Sequence, residues 1–260
     1  MPFWDHLDVL RGVILRCLVA VIAVSLLAFS FKKQLFGLIL APQESDFVLY
    51  RFLNALAERW NLPSMHIPEI HVQLISTQLT AQFFVHMKAA GLVALVITAP
   101  YLLWELLRFV LPALYENEKR HSIRLAVWGI LLFYLGVVAD YFILFPVSFR
   151  FLATYQVSEL VTNTITISSY MSTLSMMSLL MGLLFELPVV CGLCARLGFL
   201  QASFMRKNRS YALIIIMIVA AVITPTGDAF TLCVVALPVY LLYEVSILLV
   251  ARIERTLAGK

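Results

Sequence analysis

Long apolar stretches make up most of this chain, and shorter segments that hold most of its charged residues separate them. A helix rises about 1.5 Å per residue, so about 20 apolar residues cross the ~30 Å of hydrocarbon in a bilayer. The pattern therefore predicts six membrane-spanning helices. They lie near Val13–Phe31, Ala89–Leu107, Leu125–Phe145, Tyr170–Ala195, Tyr211–Ile223 and Phe230–Ala251.

The last two predicted spans are shorter than the others. Tyr211–Ile223 would cover only about 20 Å as a helix, and Glu244 interrupts the apolar part of the sixth span directly after Tyr243. We therefore expect a short fifth and a short sixth span. Such a pair must thin the bilayer or shelter against longer helices.

Composition places the chain among membrane proteins. It is 62% hydrophobic and 13% charged, whereas a soluble domain has about 25% charged residues, and its mean hydropathy is +0.94. The expected fold is an all-α integral membrane protein with a single six-span domain over residues 1–260. The net charge of +4 is ordinary for this class and gives no indication of nucleic acid binding.

The basic residues predict the orientation. Thirteen of the 19 lysines and arginines fall in the segments that share a side with the N-terminus, and such segments are cytoplasmic. Both termini and the loop 108–124 are then cytoplasmic. Residues 32–82 form a periplasmic connection, in which LFGLILAP and DFVLYRFLNALAERW are typical of short amphipathic helices against the bundle or the membrane surface.

Two acidic residues lie within predicted spans. Glu186 is in the middle of the fourth span, where a carboxylate costs at least about 2.5 kcal/mol, so it should face the bundle interior or a wet cavity. Pro188 follows closely and should kink the helix. A hydrogen-bonded structural glutamate is as good an interpretation as a functional one. Asp140, towards the outer end of the third span, is expected to reach the interface.

Other charged residues are expected near the ends of the spans. Glu105 and Arg108 are three residues apart and predict a local pair. Glu244 should lie near the cytoplasmic boundary, Arg16 should extend to the cytoplasmic headgroups, and Lys88 should extend outwards.

The chain lacks the patterns of common catalytic sites. Its five histidines show no metal-ligand spacing, and neither G-x-S-x-G nor a glycine-rich phosphate loop occurs. We expect neither an enzyme nor a bound metal or cofactor. No internal repeat is visible, which disfavours an inverted-repeat transporter.

Several collinear motifs together resemble one family over nearly the whole chain. They are 6-HLDVLR-11, 41-AP-42, 98-TAPYLLWELLRFVLPALYENEKR-120, 131-LLFYLGVVADYFILFP-146, 183-LLFELPV-189 and 224-TPTGDAFTLCVVALPVY-240. The chain resembles TatC, the multispanning receptor subunit of the twin-arginine protein translocase.

The resemblance implies a receptor in the bacterial cytoplasmic (inner) membrane. It would bind twin-arginine signal peptides of folded cargo proteins and organise export driven by the protonmotive force. The implied partners are single-span TatA- or TatB-type subunits, further copies of the chain and membrane lipids.

The resemblance also implies site residues. The signal-peptide surface would contain Leu10, Arg11, Phe109, Pro112, Tyr115, Glu118 and Arg120. The intramembrane glutamate would be Glu186, and the residues of the outer connections that meet partners would be Pro42, Thr224, Pro225 and Asp228.

The chemistry of the cytoplasmic loop agrees with this assignment. A carboxylate binds arginine through bidentate, charge-assisted hydrogen bonds, and Glu118 offers one, with Glu116 as the alternative. Its alternative role is an ion pair with Arg120 or Arg124 on a solvated surface.

The N-terminal motif departs from the family pattern. Val9 stands where the family usually has a glutamate, and Asp8 or Asp5 would have to replace it. Asp8 points about 100° away on a helix.

A second interpretation is a proton-coupled secondary transporter for a small solute, with Glu186 and Asp140 as the relay. Buried acids favour it. Six spans without repeats and ordered outer segments disfavour it.

The orientation is testable with reporter fusions. We expect a reporter after Lys260 to be cytoplasmic and one within residues 60–64 to be periplasmic, because basic residues are retained inside. The reverse pattern would contradict both the orientation and the receptor assignment, since the Glu118 loop would then face the wrong compartment.

Overall fold

The computed structural model describes residues 3–60, 72–110, 119–156, 164–224 and 228–258, with side chains for 7–60, 72–109, 127–156, 164–224 and 228–256. This part of the chain is predominantly helical, with two very short strands. In order, its elements are α1 (Phe3–Ser30), α2 (Lys32–Leu40), a 3₁₀ turn (Ala41–Gln43), α3 (Val48–Arg59), β1 (Leu74–Ile75), α4 (Ala81–Val110), α5 (Lys119–Ala139), a π-helical turn (Asp140–Leu144), α6 (Phe145–Thr154), β2 (Ile165–Thr166), α7 (Ile167–Leu184), α8 (Leu187–Arg196), α9 (Ala202–Lys207), α10 (Arg209–Ile223) and α11 (Ala229–Ala258).

The predicted helical membrane class is confirmed. Within the described residues, five helical segments are long and apolar enough to cross a membrane: Leu7–Ser30, Ala81–Phe109, Val127–Thr154, Ile167–Arg196 and Ala229–Thr256. The sixth apolar helix, α10, has 15 residues and a length of about 22 Å. It covers the region of the predicted short fifth span.

The expectation of a short sixth span is wrong. Helix α11 has 30 residues and continues well past Glu244. The helix continues through Glu244, whose carboxylate binds Arg209 of α10 at 2.7 Å and accepts from the Tyr240 hydroxyl at 3.2 Å. A charge with partners inside the protein can stay within an apolar helix.

The third apolar segment also extends beyond its predicted end at Phe145. The backbone N–H of Phe145 donates to the carbonyl of Asp140, which closes a π turn directly before Pro146. Proline in an α-helix removes a hydrogen bond and clashes with the preceding turn. The wider turn, and the position of Pro146 at the start of α6, let the chain remain helical to Thr154.

The fourth segment is interrupted at the position that the sequence indicates. Helix α7 ends at Leu184 and α8 begins at Leu187, so Phe185 and Glu186 form a turn between them. Pro188 lies in the first turn of α8, where its missing N–H costs nothing.

Helices α1 and α4 pack antiparallel along their length. The ring of Phe29 stacks on His86 with centroids 3.8 Å apart, and thirteen residues earlier in α1, Arg16 binds Glu105 of α4. The parallel pair β1–β2 joins the connections that precede α4 and α7, with Leu74 opposite Ile165. We call the end of the bundle with β1 and β2 the outer end and the opposite one the inner end.

Tyrosine hydroxyls hold the segments at the outer end. Tyr170 of α7 donates to the carbonyl of Ile39 at 2.8 Å. The hydroxyl of Tyr50, on α3, lies 3.0 Å from the carbonyl of Pro146 and 3.4 Å from that of Pro42. Burial raises the pKa of Tyr50 above its usual value, so this hydroxyl keeps its proton. Residues 32–59 therefore belong to the folded structure.

Two glycines allow α5 and α7 to approach closely. A Cβ on Gly136 would lie 2.6 Å from the backbone oxygen of Met181, and a Cβ on Gly182 would lie 2.8 Å from the ring of Phe133. Both distances are below contact. Small residues let helix backbones approach in this way in membranes, where close packing drives association.

Replacing Gly136 by alanine should therefore destabilise the protein. Because the facing atom is a backbone oxygen that cannot turn away, we expect a cost of about 1–3 kcal/mol. The thermal unfolding midpoint in detergent should fall by ~2–4 °C for each kcal/mol. Gly91→Ala is the matched control, since a Cβ there meets nothing within 4 Å. Equal midpoints for the two variants would contradict a close approach at Gly136.

Candidate functional site

The start of α1 presents the N-terminal residues of the predicted signal-peptide surface. Asp8, Val9 and Arg11 are exposed, and Leu10 is half-buried. Because all four lie on one helix, Asp8 and Val9 point about 100° apart. Asp8 does not occupy the direction in which the family glutamate would point from position 9.

An ion pair between Arg16 and Glu105 links α1 to α4, further into the bundle than Arg11. Arg16 donates two hydrogen bonds to Glu105, from Nη2 to Oε2 at 2.8 Å and from Nε to Oε1 at 3.3 Å. The Tyr101 hydroxyl donates to Oε1 of the same carboxylate at 3.3 Å. Glu105 is 5% exposed, so this is an interhelical contact within the bundle.

This geometry corrects one expectation. Glu105 binds Arg16 on another helix and does not form the predicted local pair with Arg108, which is exposed. Arg16 turns towards Glu105, and its side chain is 51% exposed; its contact with headgroups stays a prediction. The sequence gives the two charges but not their pairing, because 89 residues separate them and only the antiparallel packing of the two helices brings them together.

The ion pair places the two described parts of the predicted surface, the start of α1 and the end of α4, at the same level along the bundle. Arg11 lies five residues before Arg16, and Phe109 lies four residues after Glu105. On antiparallel helices these steps of about 7.5 and 6 Å run in the same direction. Phe109, which is half-buried, therefore lies at the level of Leu10 and Arg11.

The other predicted residues of this surface lie outside the described part. Pro112, Tyr115 and Glu118 fall in residues 111–118, and the side chains of Arg120 and Asp5 are not among those described. Their roles stay predictions.

The Glu186 carboxylate lies inside the bundle, as its position in the sequence predicts. It is 7% exposed and sits in the turn between α7 and α8. Its Oε1 is buried and has no hydrogen-bond partner among the described residues. Gly129 of α5 faces it so closely that a Cβ there would lie 2.9 Å from Oε2, so the absence of a side chain at 129 makes room for the carboxylate.

Asp140 does not reach the interface as expected. It is fully buried, and it accepts a hydrogen bond of 2.6 Å from the Ser178 hydroxyl of α7. Its helix runs on through the π turn, which leaves Asp140 well inside the apolar segment 127–154. Ser178 was not singled out from the sequence, because a serine in an apolar helix gives no signal of its partner.

The two buried acids are not connected in the described structure. Ser178 precedes Glu186 by eight residues, about 12 Å along a helix, and the remaining oxygens Oδ1 of Asp140 and Oε1 of Glu186 have no partners among the described residues. No hydrogen-bonded chain of described groups joins them.

Lys88 makes a polar contact at the outer end. Its ammonium group donates to the Ser172 hydroxyl of α7 at 3.1 Å. This contact links α4 to α7 on the exposed side of the bundle.

The predicted residues of the outer connections have structural contacts. Pro42 is buried in the 3₁₀ turn. Thr224 is 2% exposed, and its hydroxyl donates to the carbonyl of Ala220 at 3.0 Å. Asp228 accepts from the N–H of Thr231 at 2.7 Å, the usual geometry of a helix N-cap. Pro225 lies outside the described residues. Their contact with partners stays a prediction.

Comparison with known proteins identifies the family. The family model described as Sec-independent protein translocase protein (TatC) matches residues 5–238. The chain is 30% identical to the Sec-independent protein translocase protein TatC of Blattabacterium sp. subsp. Periplaneta americana, with 95% of this chain and 94% of that protein covered. It is 31% identical to the protein of the same name of Escherichia coli (strain K12), with 95% and 86% covered.

The fold matches solved structures of the same family. A crystal structure of the twin arginine translocase receptor TatC superposes with a TM-score of 0.75 at 29% sequence identity, and the match covers 96% of this chain and 99% of that one. A second crystal structure of that receptor, in DDM, gives 0.75 at 30% identity. The family model matches most of the chain, the relatives are matched over nearly their whole length, and the fold is shared. The chain therefore belongs to the TatC family of Sec-independent protein translocase proteins.

Proposed function

We propose that this protein is the signal-peptide receptor of a twin-arginine translocase in the bacterial cytoplasmic membrane. The observation that carries the proposal is the likeness, over 96% of the chain, to a structure described as the twin arginine translocase receptor. In the proposed topology α10 is the short fifth of six spans, both termini are cytoplasmic, and the inner end of the bundle faces the cytoplasm.

The geometry of the inner end supports this function. The start of α1 and the end of α4 lie side by side, so a peptide that crosses one would also meet the other. Residues 111–118 follow α4 in the sequence, and Glu118 is nine residues after Phe109. A carboxylate and an aromatic ring together would suit an arginine pair, since one group binds the guanidinium edge and the other its face.

The proposed partners follow from the same function. The receptor meets twin-arginine signal peptides at its inner end and single-span TatA- or TatB-type subunits along its membrane-embedded helices. It also contacts further copies of itself and the surrounding lipids. Exposed apolar side chains along α10, among them Leu213, Ile214 and Ile218, give such helices a surface within the membrane.

Glu186 is proposed to act in transport and not in signal binding. It lies inside the bundle, away from the inner loop, and its carboxylate is held in a broken helix. We expect Glu186→Gln to reduce export of a twin-arginine precursor at least fivefold in a cell-based assay and to leave the affinity for the signal peptide within twofold. Glutamine keeps the shape but removes the charge.

Asp140→Asn is the comparison variant for this experiment. In the proposed receptor it should affect stability more than export, because Asp140 is hydrogen-bonded and fully buried. Equal loss of precursor export in both variants, without loss of stability, would contradict a transport role specific to Glu186. Loss of peptide binding in a folded Glu186→Gln protein would contradict the separation of the two roles.

Glu118 is the decisive residue for recognition of the arginine pair. A hydrogen bond to a charged group contributes about 1.5–3 kcal/mol, which corresponds to about 10- to 150-fold in affinity. A solvated ion pair with Arg120 would contribute only about 0–1 kcal/mol. We expect Glu118→Gln to weaken binding of a twin-arginine signal peptide at least tenfold, measured by fluorescence anisotropy on the purified protein.

Two controls separate recognition from a general charge effect. A peptide with both arginines replaced by lysine should lose much less, because lysine cannot form the bidentate contact. Glu116→Gln, in the same segment of the sequence, tests the alternative carboxylate and should weaken binding less than Glu118→Gln. Equal losses for both peptides, or no loss for either, would show that Glu118 does not bind the arginine pair.

A further inference from the structure

The ion pair between Arg16 and Glu105 lies between the membrane-embedded part of the bundle and the proposed peptide surface. It is one helical turn or slightly more from Leu10 and Arg11 on α1 and one turn from Phe109 on α4. The Glu105 side chain is 6% exposed, and the Arg16 side chain, which is 51% exposed, directs its guanidinium to that carboxylate from the neighbouring helix. The two charges are therefore engaged with each other.

We propose that this pair is a positioning element of the signal-peptide site. It holds the start of α1 in register with the end of α4, so that a bound peptide contacts Arg11 and Phe109 at the same time. This inference rests on the proposed receptor function and names residues that act through others and do not touch the peptide.

Apolar packing alone does not fix the inner end of α1 against α4. Among the described residues 7–30, Val13 is the one buried side chain, and its neighbours Ile14 and Leu15 are more than half exposed. Lipid tails are as apolar as these side chains, so their burial against α4 offers little driving force. Apolar contact therefore contributes little to the register between this part of α1 and α4.

The ion pair supplies the missing constraint. Two nearly parallel hydrogen bonds from one guanidinium to one carboxylate fix both the separation and the relative orientation of the two helices. Tyr101, one turn earlier on α4, donates to the same carboxylate and keeps it directed towards α1. The guanidinium lies back towards the start of α1, with Nη1 3.4 Å from where a Cβ of Gly12 would be.

A matched ion pair elsewhere in the protein provides the control. Arg209 of α10 donates to Glu244 of α11 at 2.7 Å, with the same residue types and nearly the same separation as in the first pair. It joins two other helices and none of the residues proposed to bind the peptide. Removing it tests the loss of an interhelical ion pair as such.

The experiment compares peptide affinities of the full-length protein in lipid nanodiscs. Arg16→Gln and Glu105→Gln should each weaken binding of a twin-arginine signal peptide about three- to twentyfold, the range that one interhelical polar contact in a membrane protein supports. The swapped double variant, Arg16→Glu with Glu105→Arg, should restore affinity to within threefold of the unchanged protein. Arg209→Gln should leave it within twofold.

Three results would overturn the proposal. They are unchanged affinity in Arg16→Gln, a swapped variant as weak as the single ones, or an equal loss in Arg209→Gln. If Glu105→Gln does not fold, Arg16→Lys takes its place. Lysine keeps the charge but not the bidentate contact, so its affinity should fall below that of the swapped variant.

A distance measurement separates this inference from the proposed function. Spin labels on cysteines introduced at the exposed positions Leu7 and Arg108, with the four native cysteines replaced by serine, report the spacing of the two helix ends without any peptide. The distance distribution should broaden in Arg16→Gln and narrow again in the swapped variant. An equally narrow distribution in Arg16→Gln would overturn the positioning role, whereas failure of the unchanged protein to bind the peptide would overturn the receptor function alone.

Discussion

Polar groups within a membrane must find their partners inside the protein, because lipid offers none. Three pairs of helical segments in the bundle are joined by such polar contacts. Arg16 binds Glu105 between α1 and α4, Ser178 binds Asp140 between α7 and the π turn, and Arg209 binds Glu244 between α10 and α11. Apolar side chains can pack equally well against lipid, so these few directional contacts contribute more to the specificity of helix pairing than their number suggests.

The same constraint connects the buried acids to the irregular backbone. Asp140 begins the π turn, and Glu186 lies in the turn that separates α7 from α8. A π turn and a helix break both alter the regular pattern of carbonyl hydrogen bonds. Each of the two long segments that contain these acids is therefore irregular at the residue that is hardest to place in hydrocarbon. Gly129 completes the arrangement at Glu186, since a Cβ at that position would lie 2.9 Å from Oε2 and the carboxylate would have to shift.

The sequence predicts the helices well because the need for about 20 apolar residues per span acts locally. It also predicts the break before Pro188, since proline has a local effect. It does not predict the partner of Glu105, because the local candidate Arg108 and the distant Arg16 are equally plausible until the helices are packed. It misplaces Asp140 for a related reason: the π turn keeps the chain helical past Pro146, and the acid then lies in the interior.

In the candidate site, too, the sequence predicts some features and misses others. Leu10, Arg11 and Phe109 follow from the family motifs, and the structure brings the helix ends that carry them together. Neither the sequence motifs nor the hydrophobic periodicity predicts the ion pair that aligns those helices, since it depends on the antiparallel register of α1 and α4. The length of α11 was underestimated because Glu244 in an apolar run looks like a boundary until its partner Arg209 is known.

The pairing of β1 with β2 has a mechanical consequence. Leu74 and Ile75 pair with Ile165 and Thr166, and these strands lie in the connections that lead into α4 and α7. The two helices are thus tied together where they start, on the same side as Tyr170 and its bond to Ile39. Separating α4 from α7 at that side would therefore disrupt the strand pair as well as the contact between Lys88 and Ser172.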